Sequence, residues 1–321
     1  MRLLITGGVG YIGSHVAIEA IERGYNVTVF DNLSTANKKN IIKEINFIEG
    51  SLNSKNDLLK LFKKDKFDGI IHLAGLKASG DSMKNPIQYA ENNIIGSLNI
   101  LKACIKNGIE FFIFSSSAAV YGDPIYLPID EFHPLKPSNY YGYTKLSVEK
   151  NLEWYSKVHD FVFGSLRYFN AAGYDLKKRI KGKERNPKNL IPLIMEIANT
   201  NSHYLPIYGT DYKTKDGTGI RDYVHVSDLA KAHIDTLEYI VKNKQNLILN
   251  LGSGSGFSVF EILEKAKKIT KKNINYKILR RRDGDVAEVV ASCALAREVI
   301  KWNPKFSNLD TILESTWEIY K

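Results

Sequence analysis

The chain has 321 residues, of which 44% are hydrophobic and 25% are charged, the composition of a globular protein with a substantial core. The formal net charge is +10, but the lysines are spread over many segments, so we expect no nucleic-acid partner. No apolar run approaches the roughly 18 residues of a membrane span and the two cysteines lack metal-type spacing, so we expect a cytoplasmic protein with neither a membrane partner nor a metal.

Short apolar strands alternate with helical segments in the first half of the chain. The predicted strands cover 2–6, 26–30, 45–48, 68–74, 110–116 and 161–169. The helical segments include 12–24 and 86–108, each closed by a glycine. Near-continuous apolar strands separated by helices predict an α/β fold, a Rossmann-type doubly wound parallel sheet covered on both faces. We expect this first domain to span 1–175.

The pattern loosens after residue 175, where polar stretches containing glycine and proline separate shorter elements. The elements predicted there are helices near 188–200, 227–243, 258–271 and 308–320, and strands near 247–251 and 275–279. We predict a smaller mixed α/β lobe over 176–321 that binds the substrate and shares some elements with the first domain.

The segment "TGGVGYIG" (6–13) follows the first strand and begins the first helix. Gly7, Gly10 and Gly13 would let the backbone turn tightly and approach a pyrophosphate at the positive end of the helix. Glycines alone are a weak signal, but a strand before them and a helix after them strengthen it. The segment therefore predicts a dinucleotide site.

The second strand ends about 20 residues further on at Asp31. A carboxylate there would accept hydrogen bonds from ribose hydroxyls and repel a 2′-phosphate, which favours NAD over NADP. The alternative is that Asp31 and Asn32 only form a turn.

The segments "FSSSAAVYGD" (114–123) and "SNYYGYTKL" (138–146) carry the groups of a hydride-transfer site. The serines of the first follow the fifth strand, at the edge where open α/β sheets bind ligands. Tyr141 and Lys145 are four residues apart and share one face of a predicted helix. We expect Lys145 to lower the pKa of Tyr141 towards neutrality, which would make the phenol a base. The alternative is a Tyr/Lys pair on a solvated helix.

A basic cluster, "KKRIKGKERNPK" (177–188), carries seven lysines and arginines and one glutamate. Charge runs usually face water, so we favour a solvated loop. The alternative is a loop near an anionic ligand.

Stretches over nearly the whole chain resemble the extended short-chain dehydrogenase/reductase superfamily, and within it the NAD-dependent sugar-nucleotide epimerases. They read "TGGVGYIGSH", "DNLS", "HLAGLKA", "FIFSSSAAVYGD", "YYGYTK", "LRYFNAAG", "NLIPLI", "DGTGIRDYVHV", "NLGSGSG" and "RRRDGD". The resemblance implies bound NAD, a UDP-sugar substrate and a homodimer joined through the long helices. The implied reaction oxidises C4 of the sugar, lets the 4-keto intermediate turn over and returns hydride to the other face, converting UDP-galactose to UDP-glucose.

The resemblance also implies roles for individual residues. The implied catalytic set is Ser117, Tyr141 and Lys145. The implied cofactor contacts are the three glycines with Tyr11, Ile12, Asp31, Asn32, Ser51, Leu52, Ala74, Lys77, Asn92, Ser117, Tyr141, Lys145 and Phe169. The implied substrate contacts are Ser117, Tyr141, Asn170, Asn189, Leu190, Tyr208, Arg221, Arg282, Asp285 and Val289.

Two guanidinium groups from separate loops, Arg221 and Arg282, suit bidentate recognition of a diphosphate. The alternative is ordinary surface ion pairing of these arginines with Asp222 and Asp285.

Two other functions remain open. A sugar-nucleotide dehydratase would resemble this chain but needs an acid/base pair just after the catalytic serine, where this chain has Ala118 and Ala119. A non-catalytic NAD-sensing regulator would tend to lack the Tyr/Lys pair.

Two positions depart from the family pattern. Ser51 stands where the family commonly has an acidic residue near the adenine, so we expect weaker NAD retention. Val289 stands where a bulky tyrosine restricts the sugar pocket in relatives, so we expect N-acetylhexosamine substrates as well. A one-residue shift in the alignment would assign this position to Glu288 instead.

Overall fold

The computed structural model describes residues 1–184, 187–200, 204–282 and 285–321. The strands are β1 Arg2–Thr6, β2 Asn26–Asp31, β3 Asn46–Glu49, β4 Gly69–His72, β5 Phe111–Ser115, β6 Val162–Tyr168, β7 Asn170–Ala172, β8 Leu205–Tyr208, β9 Ile220–His225, β10 Leu247–Leu251, β11 Gly256–Ser258, β12 Tyr276–Leu279 and β13 Glu288–Val289. The helices are α1 Tyr11–Glu22, α2 Lys55–Lys64, α3 Ser79–Lys84, α4 Pro86–Tyr89, α5 Gly96–Lys106, α6 Tyr140–Val158, α7 Leu190–Thr200, α8 Val226–Asn243, α9 Val259–Thr270, α10 Ala294–Val299 and α11 Leu309–Tyr320.

Seven parallel strands form the main sheet, in the order β10-β6-β5-β4-β1-β2-β3. Successive residues of a strand face opposite sides. Leu3 and Ile5 accordingly pack into the core under α1 and α8, whereas Leu4 packs into the core under α2, α5 and α6. Because both faces are covered, the strands read as continuous apolar runs. The predicted α/β doubly wound sheet is confirmed.

The second half of the chain builds a smaller layer beside the carboxyl end of the main sheet. β9 pairs with β7 and β13 in parallel and with β11 in antiparallel orientation, and β12 pairs with β8. A separate core joins β7, β8, β9 and β11 to α7, α9 and α11. β10 and α8 lie beyond residue 175 and yet complete the main sheet and its cover. The predicted domain boundary between residues 175 and 176 stays a prediction.

The predicted helix 86–108 is interrupted. Residues Ala90–Ile95 form a π-helical turn between α4 and α5, and such turns occur frequently at functional sites. The sequence prediction also omitted the short strands β7, β8, β9, β11 and β13, because runs of two to six residues carry little periodicity. Within the described residues, no helix has the length and apolar character needed to cross a membrane.

Candidate active site

The turn between β1 and α1 has no room for side chains. Gly7 has a φ of +71°, and a Cβ there would lie 2.6 Å from the backbone nitrogen of Ala74. A Cβ on Gly13 would overlap the carbonyl oxygen of Gly7. The residue before α1 is Gly10, which has no side chain to cap the helix. The backbone amides of Tyr11 and Ile12 therefore face the turn without a side-chain acceptor from residue 10. This backbone cradle fits the pyrophosphate of a dinucleotide.

Asp31 ends β2 beside this cradle. Its carboxylate accepts hydrogen bonds from the backbone amides of Val9 at 3.1 Å and Leu33 at 2.8 Å. Burial raises the pKa of Asp31, and these hydrogen bonds oppose the rise. A carboxylate offers about four lone-pair sites, so acceptor capacity remains for ribose hydroxyls. Asn32 forms a local turn by accepting from the amide of Ser34.

Ser117, Tyr141 and Lys145 meet at the carboxyl edge of the main sheet. Ser117 follows β5 and caps the 3₁₀ turn Ala118–Val120. Tyr141 lies in the first turn of α6 and hydrogen-bonds the Ser117 side chain. Lys145 follows one turn later, with its Nζ 5.8 Å from the centre of the Tyr141 ring. The predicted helix and the shared face of Tyr141 and Lys145 are confirmed.

The expectation that Lys145 lowers the pKa of Tyr141 is wrong. Burial raises the pKa of the phenol, and the hydrogen bond with Ser117 opposes the rise. Burial also lowers the pKa of Lys145 to about 8, against the attraction of Glu149. The Lys145 ammonium donates a hydrogen bond to the carbonyl oxygen of Ser115 at 2.7 Å. This bond directs the ammonium to the backbone and not to the phenol oxygen of Tyr141. Desolvation therefore biases both groups of the pair towards their neutral forms.

Glu149 extends the row of Tyr141 and Lys145 along the buried face of α6. It is fully buried and forms an ion pair with Arg167, whose Nη2 lies 2.6 Å from Oε2 and whose Nε lies 3.0 Å from Oε1. Ser165 donates to the same carboxylate at 2.9 Å. This network fixes α6 to β6 directly behind Lys145. The spacing of four residues between Lys145 and Glu149 is the only signal of this network in the sequence, and it does not show that Glu149 is buried.

Several lysines and arginines of the basic cluster (177–188) form ion pairs with acidic residues elsewhere in the chain. The pairs are Lys177 with Glu22, Lys178 with Glu318, Arg179 with Asp175 and Glu22, and Lys188 with Asp81. Lys77, a predicted cofactor contact, pairs with Glu184 of this cluster and lies 5.8 Å from the centre of the Tyr11 ring. Arg185 and Asn186 of the cluster, and Asp283 and Gly284 of the last motif, lie outside the described residues.

The remaining predicted cofactor residues surround the same edge. Ala74 contacts the glycine turn, Phe169 is buried just after β6, and Leu52 is buried beside Ser51. The Ser51 amide donates to Asp57 at 3.1 Å, so a carboxylate lies close to this position even though residue 51 is not acidic. Asn92 lies on the π-helical turn and donates to the carbonyl oxygen of Gln88.

Arg282 and its neighbours form the charged part of the second site. The Arg282 guanidinium lies 4.4 Å from the centre of the Tyr208 ring, and its Nε is 2.9 Å from Asp285 Oδ2. A cavity of about 480 Å³ opens beside Arg282, which lines it together with residues such as Gly209 and Asp211. The structure thus brings Tyr208, Arg282 and Asp285 together, with 60% of the Arg282 side chain exposed.

Arg221 lies on β9, directly opposite Val289 of β13. Its Nη1 donates to the carbonyl oxygen of Ile220 at 2.8 Å. Asp222 accepts other hydrogen bonds, from Ser253 and from backbone amides. Within the described part of the chain no ion pair joins Arg221 to Asp222, whereas Arg282 and Asp285 do pair.

The last predicted substrate residues are less closely gathered. Asn170 begins β7, and its side chain hydrogen-bonds the buried Tyr223 of β9. Asn189 is exposed ahead of Leu190, the first residue of α7. Among the described residues, no hydrogen bond joins Asn189 to Arg221 or Arg282.

Asn93 is a site residue that the sequence prediction missed. Its side chain accepts from the amide of Leu76 at 2.7 Å and donates to Leu76 O at 2.9 Å and to Thr144 Oγ1 at 3.1 Å. It therefore holds the segment that carries Ala74 and Lys77 against α6. Two adjacent asparagines inside a predicted helix are unfavourable, and this was the available signal.

Residues 3–252 match the family model described as the NAD dependent epimerase/dehydratase family. A UDP-glucose 4-epimerase of Halalkalibacterium halodurans is 40% identical, with 100% of this chain and 96% of the relative covered.

Two solved structures are also similar. The Brucella ovis UDP-glucose 4-epimerase in complex with NAD shares 37% identity with a TM-score of 0.96, covering 99% of this chain and 98% of that one. The Bifidobacterium longum UDP-glucose 4-epimerase in complex with NAD+ and UDP shares 34% identity with a TM-score of 0.93, at the same coverage of 99% and 98%.

Proposed function

We propose, since the chain belongs to the NAD-dependent epimerase/dehydratase family, that it is an enzyme that epimerises UDP-hexoses at C4 with NAD as cofactor. The observation that carries this function is the convergence of Ser117, Tyr141 and Lys145 at the sheet edge beside the glycine cradle. The chemistry that bound NAD supplies is reversible hydride transfer at C4 of the sugar. The glycine turn and Asp31 would hold its pyrophosphate and adenosine ribose.

Tyr141 is the group that takes the C4 hydroxyl proton during oxidation and returns a proton during reduction. Its hydrogen bond with Ser117 supports a relay between the substrate hydroxyl and the phenol. The raised pKa of the buried phenol favours its protonated form, the form that carries the proton needed in the reduction step. Lys145 would hold the cofactor ribose, because its Nζ lies at the same sheet edge with Ser115 as its one protein hydrogen-bond partner among the described residues.

The diphosphate of the substrate would be held by Arg221 and Arg282. Arg282 is oriented by Tyr208 and Asp285, and guanidinium groups match phosphate oxygens in bidentate geometry. A firm hold on the UDP leaves the sugar free to turn over between the two hydride transfers. Asn170, Asn189 and Leu190 would complete the substrate site.

Two alternatives are less well supported. Elimination of water needs an additional acid and base after the serine, but Ala118 and Ala119 carry only methyl groups in the 3₁₀ turn at this site. A non-catalytic regulator would not need the buried Tyr141 and Lys145, which cost stability by desolvation.

Val289 is proposed to leave room for a 2-acetamido group, so that UDP-N-acetylhexosamines are substrates as well. Its support is the pairing of Val289 with Arg221, which puts a small side chain next to a proposed diphosphate ligand. Glu288, the alternative position, pairs with Ile220.

The test is turnover of UDP-galactose and of UDP-N-acetylgalactosamine, followed by NMR. We expect activity on both, and we expect Val289→Tyr to lower the activity on the acetylated substrate by about tenfold relative to the plain one, because the added ring fills the pocket. Glu288→Gln is the matched control and should leave the ratio unchanged. An unchanged ratio in Val289→Tyr would contradict the role of this residue.

A homodimer is also proposed. Ile87, Ile95, Tyr143 and Trp154 are exposed along α4, the π-helical turn and α6, and several exposed apolar groups on neighbouring helices suit a second copy of this chain. Measuring the molar mass of the protein in solution tests the proposed homodimer directly. A cytoplasmic location stays a prediction, and a role in galactose metabolism is proposed together with the conversion of UDP-galactose.

A further inference from the structure

Asp222 is buried and uses both carboxylate oxygens. Oδ1 accepts from the amide and the hydroxyl of Ser253, each at 2.7 Å. Oδ2 accepts from the amides of Gly254 at 3.0 Å and Ala291 at 3.2 Å. One side chain on β9 therefore fixes two further segments, the loop after β10 and the residues just after β13.

These segments approach Asp222 very closely. A Cβ on Gly252 would lie 2.5 Å from Asp222 Oδ2 and 2.6 Å from the Ala291 Cβ, so only glycine fits there. Burial raises the pKa of Asp222 and the four hydrogen bonds oppose the rise. The loop is built around an acceptor at this point.

Asp222 stands next to Arg221 in the chain, and successive residues of a strand face opposite sides. Arg221 pairs across the ladder with Val289, and Ala291 follows Val289 by two residues. The β13 segment is held to β9 before Val289 by the bond from the Ile220 amide to Ala287 O at 2.8 Å. After Val289 it is held by the bond from Ala291 to Asp222.

We propose that Asp222 is a positioning residue of the nucleotide-sugar site, which fixes the Arg221 guanidinium and the Val289 side chain relative to each other without touching the substrate. This inference rests on the proposed function, because it needs Arg221 to bind the diphosphate. Since the diphosphate stays anchored throughout the reaction, Arg221 would contribute equally to the ground state and the transition state, and its misplacement should raise KM more than it lowers kcat.

The test compares Asp222→Asn with Asp228→Asn. Asp228 is a close match, because it is also buried and accepts from the amides of Lys305 and Phe306 and from the Ser307 hydroxyl. In both variants an amide NH₂ group would face backbone N–H donors, so both should lower the unfolding temperature. The loop at 305–307 contains no proposed substrate contact.

We expect Asp222→Asn to raise KM for UDP-galactose and the Kd for UDP by about tenfold, with kcat changed less than about threefold. Asp228→Asn should leave both constants within about twofold of the wild type, although it unfolds at a similarly lowered temperature. Equal effects of the two variants, or a UDP Kd unchanged by Asp222→Asn, would overturn the inference.

Ser253→Ala is a milder variant in case Asp222→Asn does not fold, since it removes one of the four donors and keeps the carboxylate. The same hydroxyl also hydrogen-bonds the backbone of Ser255. Ser253→Ala should raise the UDP Kd by about threefold, in line with the loss of one hydrogen bond to Asp222, and an unchanged Kd would overturn the inference. The wild-type titration with UDP separates the two claims. Failure of the wild type to bind UDP would overturn the proposed function itself, whereas normal wild-type binding with unchanged variants would overturn only the role of Asp222.

Discussion

The catalytic region and the nucleotide-sugar region use charged side chains in opposite settings. Lys145 is 5% exposed and Glu149 is fully buried, so the charges behind Tyr141 lie in a low-dielectric interior. Arg282, in contrast, has 60% of its side chain in contact with water and pairs with Asp285 three residues away.

The two settings suit the two tasks of the site. Burial changes the protonation of Tyr141 and Lys145 and costs stability, whereas exposure leaves the Arg282 guanidinium open to screening by salt. Hydride transfer needs groups that exchange protons, and holding a diphosphate needs groups that keep their charge.

The largest effect is expected at the phenol. Tyr141→Phe removes the proposed proton-transfer group and should lower kcat for UDP-galactose by about a thousandfold. Tyr143→Phe on the same helix, at a side chain that is 52% exposed, is the matched control and should retain activity. Both are measured by initial rates, with bound NAD quantified in each. Near-normal turnover in Tyr141→Phe would remove the phenol from the mechanism.

The next effect concerns the stability cost of the buried lysine. The unfolded chain keeps this amine protonated up to its usual pKa of 10.5, whereas in the folded protein it loses its proton from about pH 8. Below pH 8 the folded protein therefore holds an unfavourable buried charge. Lys145→Met should raise the free energy of unfolding by about 1–3 kcal/mol at pH 7.

The advantage of Lys145→Met should shrink as the pH rises from 8 to 10.5, because folded wild-type protein binds fewer protons than unfolded protein there. Denaturant unfolding at several pH values measures the difference between the two proteins. Lys150→Met, at an exposed position on the same helix, should show no such trend. A pH-independent difference for Lys145→Met would contradict the buried-charge argument.

The smallest effect is expected at the exposed arginine. Arg282→Gln should weaken UDP binding by about tenfold at low ionic strength, and the difference should narrow at high salt because the charge is screened. Lys277→Gln removes the same charge from the exposed strand β12 and serves as the control. Calorimetric titration of the wild type and the variants with UDP, at low and at high salt concentration, measures the loss of affinity under each condition. A salt-independent loss would indicate a desolvated contact instead.

The same contrast explains what the sequence could predict. The glycine turn, Asp31 and the Tyr141–Lys145 pair are local patterns, since their spacing alone sets which atoms meet. The predicted direction of the Tyr141 pKa shift was wrong, because the shift depends on burial by residues that are distant in the chain.

Asp222 shows the same limit. Next to Arg221 it reads as an ion-pair partner, and only the fold brings Ser253, Gly254 and Ala291 to its carboxylate. The π-helical turn that leaves Asn92 half-buried and buries Asn93 also has no periodic signal beyond the asparagine pair.

Hydride transfer at C4 returns the hydrogen to the same carbon. This step can be followed by incubating the protein with UDP-galactose that carries deuterium at C4, with no NAD added. We expect UDP-glucose that retains the deuterium at C4. Loss of deuterium to solvent, or conversion that is unaffected by Tyr141→Phe, would contradict it.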